Sequence, residues 1–191
     1  MTVCFSVEDM RIRVTNGYGP QEYDSQEKKD KFWSYLEDEV TICSTGGFGC
    51  IIAMDANSWL GKNHNSKDPH NQNINGKLFS EFLERNPQLT LLNTTSKCEG
   101  TITRSRYVKG KKEESIIDFV IICDKLLPYF EKMVIDESKV NALVNFHSKK
   151  KGQLAKSSDH NSIFVDFCIK IKPEKVERKE MYLFKDEEAL A

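Results

Sequence analysis

The segment that most constrains this chain is Cys50-Ile51-Ile52-Ala53-Met54, an unbroken apolar run that leads straight into Asp55-Ala56-Asn57. An apolar run of strand length, with no polar alternation, fits a strand covered on both faces. Such a strand delivers the carboxylate of Asp55 and the amide of Asn57 to one edge of its sheet. A turn that merely ends the strand is the plainer alternative, since Asp and Asn favour turns.

Around this run, strand and helix signals alternate. Residues 1–7 and 10–16 alternate apolar and polar side chains about Glu8-Asp9, which predicts a hairpin or two successive strands. Asn16-Gly17-Tyr18-Gly19-Pro20 predicts a turn. Ser25 to Val40 reads as an amphipathic helix with Phe32, Trp33, Leu36 and Val40 on its apolar side. Residues 46–49 read as a loop, and 55–75, rich in Asn, Asp, His and Lys, as a polar loop. Gly76 to Arg85 carries Leu78, Phe79, Phe82 and Leu83 at helical spacing. Strands are expected at 89–92, from Thr101 onward, at 116–122, at 133–135 and at 163–171, where Ile163, Val165, Phe167, Ile169 and Ile171 alternate. From Lys172 the chain is mostly charged, a tail or a surface helix, and no internal repeat is present.

Composition narrows the classes. A chain of 191 residues, 39% hydrophobic and 30% charged, fits one soluble domain with a real core. No stretch approaches the ~18 apolar residues of a membrane span. The acidic opening from Met1 to Asp9 does not resemble a secretory leader, so an intracellular location, nuclear or cytoplasmic, is expected. A net charge of −1 excludes an unspecific nucleic-acid coat but not an enzyme that grips a few phosphates. The six cysteines form no CxxC pair and read as reduced, with Cys50, Cys123 and Cys168 as small buried hydrophobes. Asn93-Thr94-Thr95 reads as polar chain after a strand.

Three further motifs carry chemistry. Ser158-Asp159-His160 precedes the alternating strand at 163. Asp159 can hold a metal or a water, and His160 can exchange protons or steady a phosphoryl oxygen; a loop with a half-exposed histidine is the alternative. Ser115 to Ile122 places Asp118 inside an apolar strand. A buried carboxylate needs a partner, and His160 is the obvious one; an edge strand with Asp118 facing solvent is the alternative. Tyr18 supplies a hydroxyl at another strand end, or is an ordinary aromatic in a turn.

In order and form these elements resemble the endonuclease/exonuclease/phosphatase superfamily. Its Asn-x-Tyr-x-Pro element, its Asp-x-Asn after a buried strand, its Ile-Asp-Phe/Tyr strand and its terminal Ser-Asp-His stand here as Asn16-Gly17-Tyr18-Gly19-Pro20, Asp55-Ala56-Asn57, Ile117-Asp118-Phe119 and Ser158-Asp159-His160. Asn75-Gly76-Lys77-Leu78, Leu89 to Thr94, and Thr101-Ile102-Thr103-Arg104 leading by a short basic loop to Ser115 are similar to the endonuclease domains of non-LTR retroelements.

The resemblance implies an α+β fold over residues 1–171, a two-sheet β-sandwich flanked by helices in four α/β/β/α layers, with 172–191 as a charged tail. It implies hydrolysis of phosphodiesters in DNA with Mg²⁺ or Mn²⁺, and a reverse transcriptase domain in the parent element. By resemblance, Asp55 activates the attacking water and Asn57 holds that water or a phosphate oxygen. His160, supported by Asp118, stabilises the pentacoordinate phosphate. Asp159 serves the metal or the leaving group. Tyr18, Ser115, Asn16 and Arg104 contact the phosphate.

The chain departs from the family in one respect. Family members carry a strand ending in Asn and a strand ending in a metal-binding Glu ahead of the Asn-x-Tyr-x-Pro element, and only 15 residues precede Asn16 here. The flanks of Glu8 do not match the glutamate strand. The expectation is therefore a sandwich lacking its N-terminal strands, an incomplete metal site and impaired hydrolysis. The alternatives are an inactive fragment that binds nucleic acid or a protein, and a phosphatase acting on small phosphoesters. Basic side chains cluster at Arg104, Arg106, Lys109, Lys111 and Lys112, and at Lys149, Lys150, Lys151 and Lys156, either along a DNA backbone or as solvated loops.

Overall fold

The computed structural model describes residues 1–62, 64–138 and 158–169. The N-terminal segments form the expected hairpin, β1 (Thr2–Val7) and β2 (Met10–Tyr18). β2 runs straight through Asn16-Gly17-Tyr18, where composition predicts a turn. The reason is pairing: these three residues lie in parallel register with Ala53, Met54 and Asp55 of β3 (Gly49–Asp55), and a completed ladder outweighs a local turn preference.

Between these strands lies α1 (Gln26–Gly46), whose first turn is capped by the Ser25 hydroxyl accepting from the Lys28 N–H at 3.3 Å. It runs six residues beyond Val40 because Cys43 carries the buried stripe onward, and it stops where Gly47 turns left-handed (φ 67°). α2 (Ile74–Arg85) opens ahead of Gly76 because the Asn73 side chain accepts from the Gly76 N–H at 2.7 Å. β4 (Leu89–Leu91) and the short β5 (Cys98–Glu99) follow. Thr101-Ile102-Thr103 is not a strand. The expected basic loop is instead a hairpin, β6 (Arg104–Val108) and β7 (Lys111–Ser115), with Lys109 and Gly110 both at positive φ in its two-residue turn. β8 (Asp118–Cys123), β9 (Phe130–Asp136) and β10 (Ser162–Phe167) complete the strands near the positions expected from apolar sequence, but β10 ends at Phe167, short of the expected 171, and 170–171 lie outside the described residues. The charged tail and the cluster from Lys149 to Lys156 lie outside the described residues.

The strands form a five-stranded sheet, β1-β2-β3-β8-β4, a three-stranded sheet, β10-β9-β5, and the separate β6-β7 hairpin. β3 explains the layering. Its Cys50, Ile52 and Met54 pack with Trp33, Leu36, Phe79 and Phe82 of the two helices. Its Ile51 and Ala53 face the other way, into a core with Met133, Ile135, Ile163 and Val165 of the smaller sheet. The run is apolar throughout because both its faces are covered. Burying each large apolar side chain contributes on the order of 1.5–3 kcal/mol. The fold is α+β, with two facing sheets. Both helices cover the outer face of the larger sheet, and among the described residues no helix covers the smaller one. No described helix is long and apolar enough to cross a membrane. The cysteines are free; Cys50 is buried and Cys123 half-buried, but Cys168 is exposed, because the alternation of the last strand puts it on the outer side.

Candidate active site

Strand register assembles the first groups. Tyr18 stands opposite Asp55, and Asp55 opposite Asp118, so three strands place one residue each in a row at the sheet edge. Opposed residues project from the same side of a sheet. That side is the one from which Ala53 and Val120, one repeat away, enter the inter-sheet core. Asn16, one repeat inward from Tyr18, lines the cleft of about 800 Å³ that opens between the sheets beside β10.

The fourth group arrives from the far end of the chain. The backbone of Asp159 accepts from the Ser105 N–H at 2.8 Å, and the Asn161 N–H donates to the Thr103 carbonyl at 2.7 Å, which pins the segment between them. His160 then reaches across the cleft. Its Nδ1 lies 3.0 and 2.9 Å from the two oxygens of Asp118. Its Nε2 faces Asp55 Oδ2 and Asp159 Oδ1, each at 4.0 Å.

The electrostatics follow from this packing. The hydrogen bond to Asp118 raises the His160 pKa above the ordinary histidine value, against an opposing effect of burial. Burial raises the Asp55 carboxyl, and the neighbouring Asp118 charge adds to the rise. Burial also pushes Asp159 upward, but the Arg104 guanidinium outweighs it and holds that carboxyl below its usual range. Arg104 contacts Asp159 Oδ2 through both Nε and a terminal nitrogen, each at 2.7 Å. The result is a protonatable ring surrounded by three carboxylates, one of them already paired.

Two of the expected motifs are bolted to one another. The Gly19 N–H donates to the Asp55 carbonyl at 2.6 Å, and the Asn57 amide donates to the Gly19 carbonyl at 2.9 Å. A Cβ on Gly19 would lie 2.4 Å from the Ala56 carbonyl oxygen, so this approach requires glycine. Asn57 itself is left-handed, φ 46°, a conformation asparagine tolerates. The Tyr18 hydroxyl is exposed and accepts from Gln21 at 3.1 Å. Ser115 pairs with Arg104 across the β6-β7 hairpin and lines a second cleft together with Asn57.

Asp55, Asp118 and His160 offer ligand atoms that all lie within 4.8 Å of one another, a group able to hold a metal ion. Asp159, the ligand suggested by sequence, is not in that group: one of its oxygens is bound to Arg104. No glutamate belongs to the group among the described residues. Glu8 sits at the other end of β2 from Tyr18, roughly 30 Å away at strand rise, so it stands apart from this group.

Several residues have supporting roles that the sequence does not show. Thr103 is fully buried, and its hydroxyl accepts from the N–H groups of Ile117 and Asp118, at 2.9 and 3.0 Å. Asn93 donates to the Asp118 carbonyl and accepts from the Val120 N–H, both at 3.0 Å. Asn161 donates to the Ile102 carbonyl at 2.6 Å. Asn75 ties Pro20 to Asn57 through their carbonyls, at 2.7 and 3.2 Å. Their residue types carry no periodic signal, so only their partners reveal these roles.

No protein-family model and no curated protein sequence matches the chain. Solved structures do match it. It aligns with the endonuclease domain of TRAS1, a telomere-specific non-LTR retrotransposon, at TM-score 0.59 and 21% identity, over 88% of this chain and 63% of that one. The chain has the endonuclease/exonuclease/phosphatase fold. A 3'-5' exonuclease, NExo, from Neisseria meningitidis shares this fold at TM-score 0.59 and 16% identity, over 87% of this chain and 64% of that one. The 3' phosphatase NExo from Neisseria, bound to product DNA hairpin, aligns at TM-score 0.61 and 16% identity, over 88% and 65%. The chain thus spans just under two thirds of the length of these solved chains. Within the fold, Asp55, Asp118, Asp159, His160 and Arg104 converge at one edge of the facing sheets, with Tyr18 at the rim and Asn16 deeper in the cleft.

Proposed function

We propose that this site hydrolyses phosphodiester bonds of DNA with a divalent ion, Mg²⁺ or Mn²⁺, in the manner of a retroelement endonuclease. The observation that carries the reading is His160, bound at Nδ1 by both oxygens of Asp118 while Nε2 faces Asp55 and Asp159. Asp118 orients the ring and favours its cationic form. That cation stands where negative charge grows as a phosphate becomes pentacoordinate. Asp55, made more basic by burial, takes the proton of the attacking water. Asn57, Tyr18, Asn16 and Ser115 line the ground on which the phosphate would sit. Arg104, held by Asp159, presents the rest of its guanidinium to it.

Beside the His160 cation, the carboxylates of this group suit a divalent ion, since Mg²⁺ commonly takes one or two carboxylates plus the substrate phosphate. Asp55 and Asp118 would hold it, with His160 beside them. The ion would supply charge neutralisation at the phosphate oxygens.

The chain alone is expected to be a weak catalyst, because no glutamate adds a further carboxylate to this group among the described residues. Nicking of supercoiled plasmid at millimolar Mg²⁺ or Mn²⁺ tests both statements. The assay compares the chain with a version supplied with an N-terminal segment carrying the family's Asn and Glu motifs. Efficient nicking should appear only in the second and vanish in Asp55→Ala and His160→Ala. Strong nicking by the chain alone refutes the weakness. No nicking by either refutes hydrolysis and leaves nucleic-acid binding. Phosphate release from a small phosphoester without nicking points to a phosphatase.

A further inference from the structure

Next to the carboxylate cluster lies a second cleft of about 800 Å³, between the polar loop after β3 and the β6-β7 hairpin. Its floor is aromatic. Trp59 and His70 stack face to face, with ring centroids 4.1 Å apart and planes 11° from parallel. Trp59 remains 37% exposed although His70 covers one face, which leaves aromatic surface open to the cleft.

This platform is held rigidly. The Trp59 backbone N–H donates to the Asn73 side chain at 3.1 Å, and the Asn73 backbone N–H returns a bond to the Trp59 carbonyl at 3.2 Å. Gly76 passes so close that a Cβ there would lie 1.9 Å from the Trp59 carbonyl oxygen. His70 reaches the opposite wall, its Nε2 2.9 Å from the Glu114 carbonyl of β7. Loop and hairpin therefore meet through the stacked pair. A tryptophan fixed this firmly yet left open resembles a preorganised contact surface more than a core residue.

The charges around the cleft say what it takes. Arg104 pairs with Asp159 at 2.7 Å, Arg106 with Glu113 at 2.9 Å, and Lys112 with Glu114. Each cation on the rim has a carboxylate partner, so the cleft is nearly charge-balanced. Away from Arg104, Asn57 and Ser115 at its catalytic side, such a site gains little from a bare phosphate. It offers a stacking face, with amide and hydroxyl groups from Asn57, Asn73 and Ser115 around it. That chemistry fits a planar, uncharged, hydrogen-bonding ring.

We propose that Trp59 and His70 form a nucleobase subsite, which takes an unstacked base flanking the phosphate bound at the His160 cluster. The proposal rests on the reading of that cluster as a DNA phosphodiesterase site. Ser115, Asn57 and Arg104 border the cleft from the catalytic side, so a nucleotide can extend from one to the other. Stacking on an aromatic side chain contributes enough per base to change affinity roughly 5- to 150-fold.

The chain has two tryptophans, and Trp33 is buried, so quenchable emission comes from Trp59. The probe is a short fluorescein-labelled DNA duplex with one unpaired base, titrated without divalent ions so that nothing is cleaved. Anisotropy reports binding, and acrylamide protection reports Trp59. Binding should shield Trp59, Trp59→Ala should weaken binding about 10-fold, and Trp59→Phe should keep most of it. Circular dichroism melts confirm that the variants fold, and Trp59→Phe still tests stacking if the alanine variant does not. Inorganic phosphate should leave Trp59 unshielded. Binding that leaves Trp59 emission unchanged, with Trp59→Ala as tight as the parent, overturns the subsite and leaves the phosphodiesterase reading intact. Shielding by phosphate alone also overturns it. No binding of the duplex overturns the subsite and the DNA reading together.

Discussion

Thr103→Val is the substitution that best tests how the site is held. Thr103 is 0% exposed, and its hydroxyl oxygen is the acceptor for the Ile117 N–H at 2.9 Å and the Asp118 N–H at 3.0 Å. Valine keeps the shape and removes the acceptor, stranding both donors. A buried donor left without a partner costs about 1–3 kcal/mol. The Ile117 donor is fully buried and counts whole; the Asp118 donor is partly buried and counts about half. The expected loss is about 2–4 kcal/mol, a large share of the roughly 5–15 kcal/mol that holds a typical domain together. In urea, with a slope of about 1–3 kcal/mol per molar, the unfolding midpoint should fall by roughly 1–2 M. Thr103→Ser keeps the hydroxyl and loses one methyl, worth about 0.8 kcal/mol. Because Asp118 also carries His160, the valine variant should shift the His160 resonances as well. A loss below about 1 kcal/mol for valine, or serine costing as much as valine, refutes the reasoning.

Asp118→Asn should lower the titration midpoint of His160 in NMR, because the carboxylate bond is what raises it. With the folded pKa raised, the stability contributed by the protonated ring is present below its unfolded value near about 6.5 and lost as pH rises through the folded value; identical midpoints in parent and variant would sink this account. Glu39 accepts from Arg13, Thr15 and Thr2, and the Arg13 bond holds its carboxyl below the usual range. Glu39→Gln should cost about 2–3 kcal/mol at neutral pH, the lower side of a buried pair since Arg13 keeps some exposure. Here the folded pKa is depressed, so that contribution exists above the ordinary glutamate value and fades as pH falls through the folded one; a difference that stays constant into acid would contradict it. Titrated Mn²⁺ should broaden the His160 signals before those of the other three histidines, and Asp55→Asn should blunt the effect, whereas equal broadening of all four histidines counts against the ion group.

Much of this molecule was legible in its residues because one-dimensional patterns encode burial. The unbroken run before Asp55 announced a strand covered on both faces, and the alternation of Ile163, Val165 and Phe167 announced one with a single inner face. The four polar motifs were visible for the same reason, since each interrupts or adjoins a strand signal. The pairing of Asp118 with His160 was foreseeable from the cost of an unpartnered buried carboxylate. Other features needed the fold. Asn16-Gly17-Tyr18 looks like a turn by composition, and only the parallel partner β3 makes it strand. The basic stretch from Arg104 to Ser115 looks like a loop, and only cross-strand pairing, including Arg106 with Glu113, makes it a hairpin. That Asp55, Asp118 and His160 stand within ligand distance of one another, and that Arg104 pairs with Asp159, also needed the fold. Residue types and their periods determine which groups are buried and where strands end. Register and packing decide which groups meet, and so set their charge states, because an electrostatic interaction depends on distances that the order of residues does not contain.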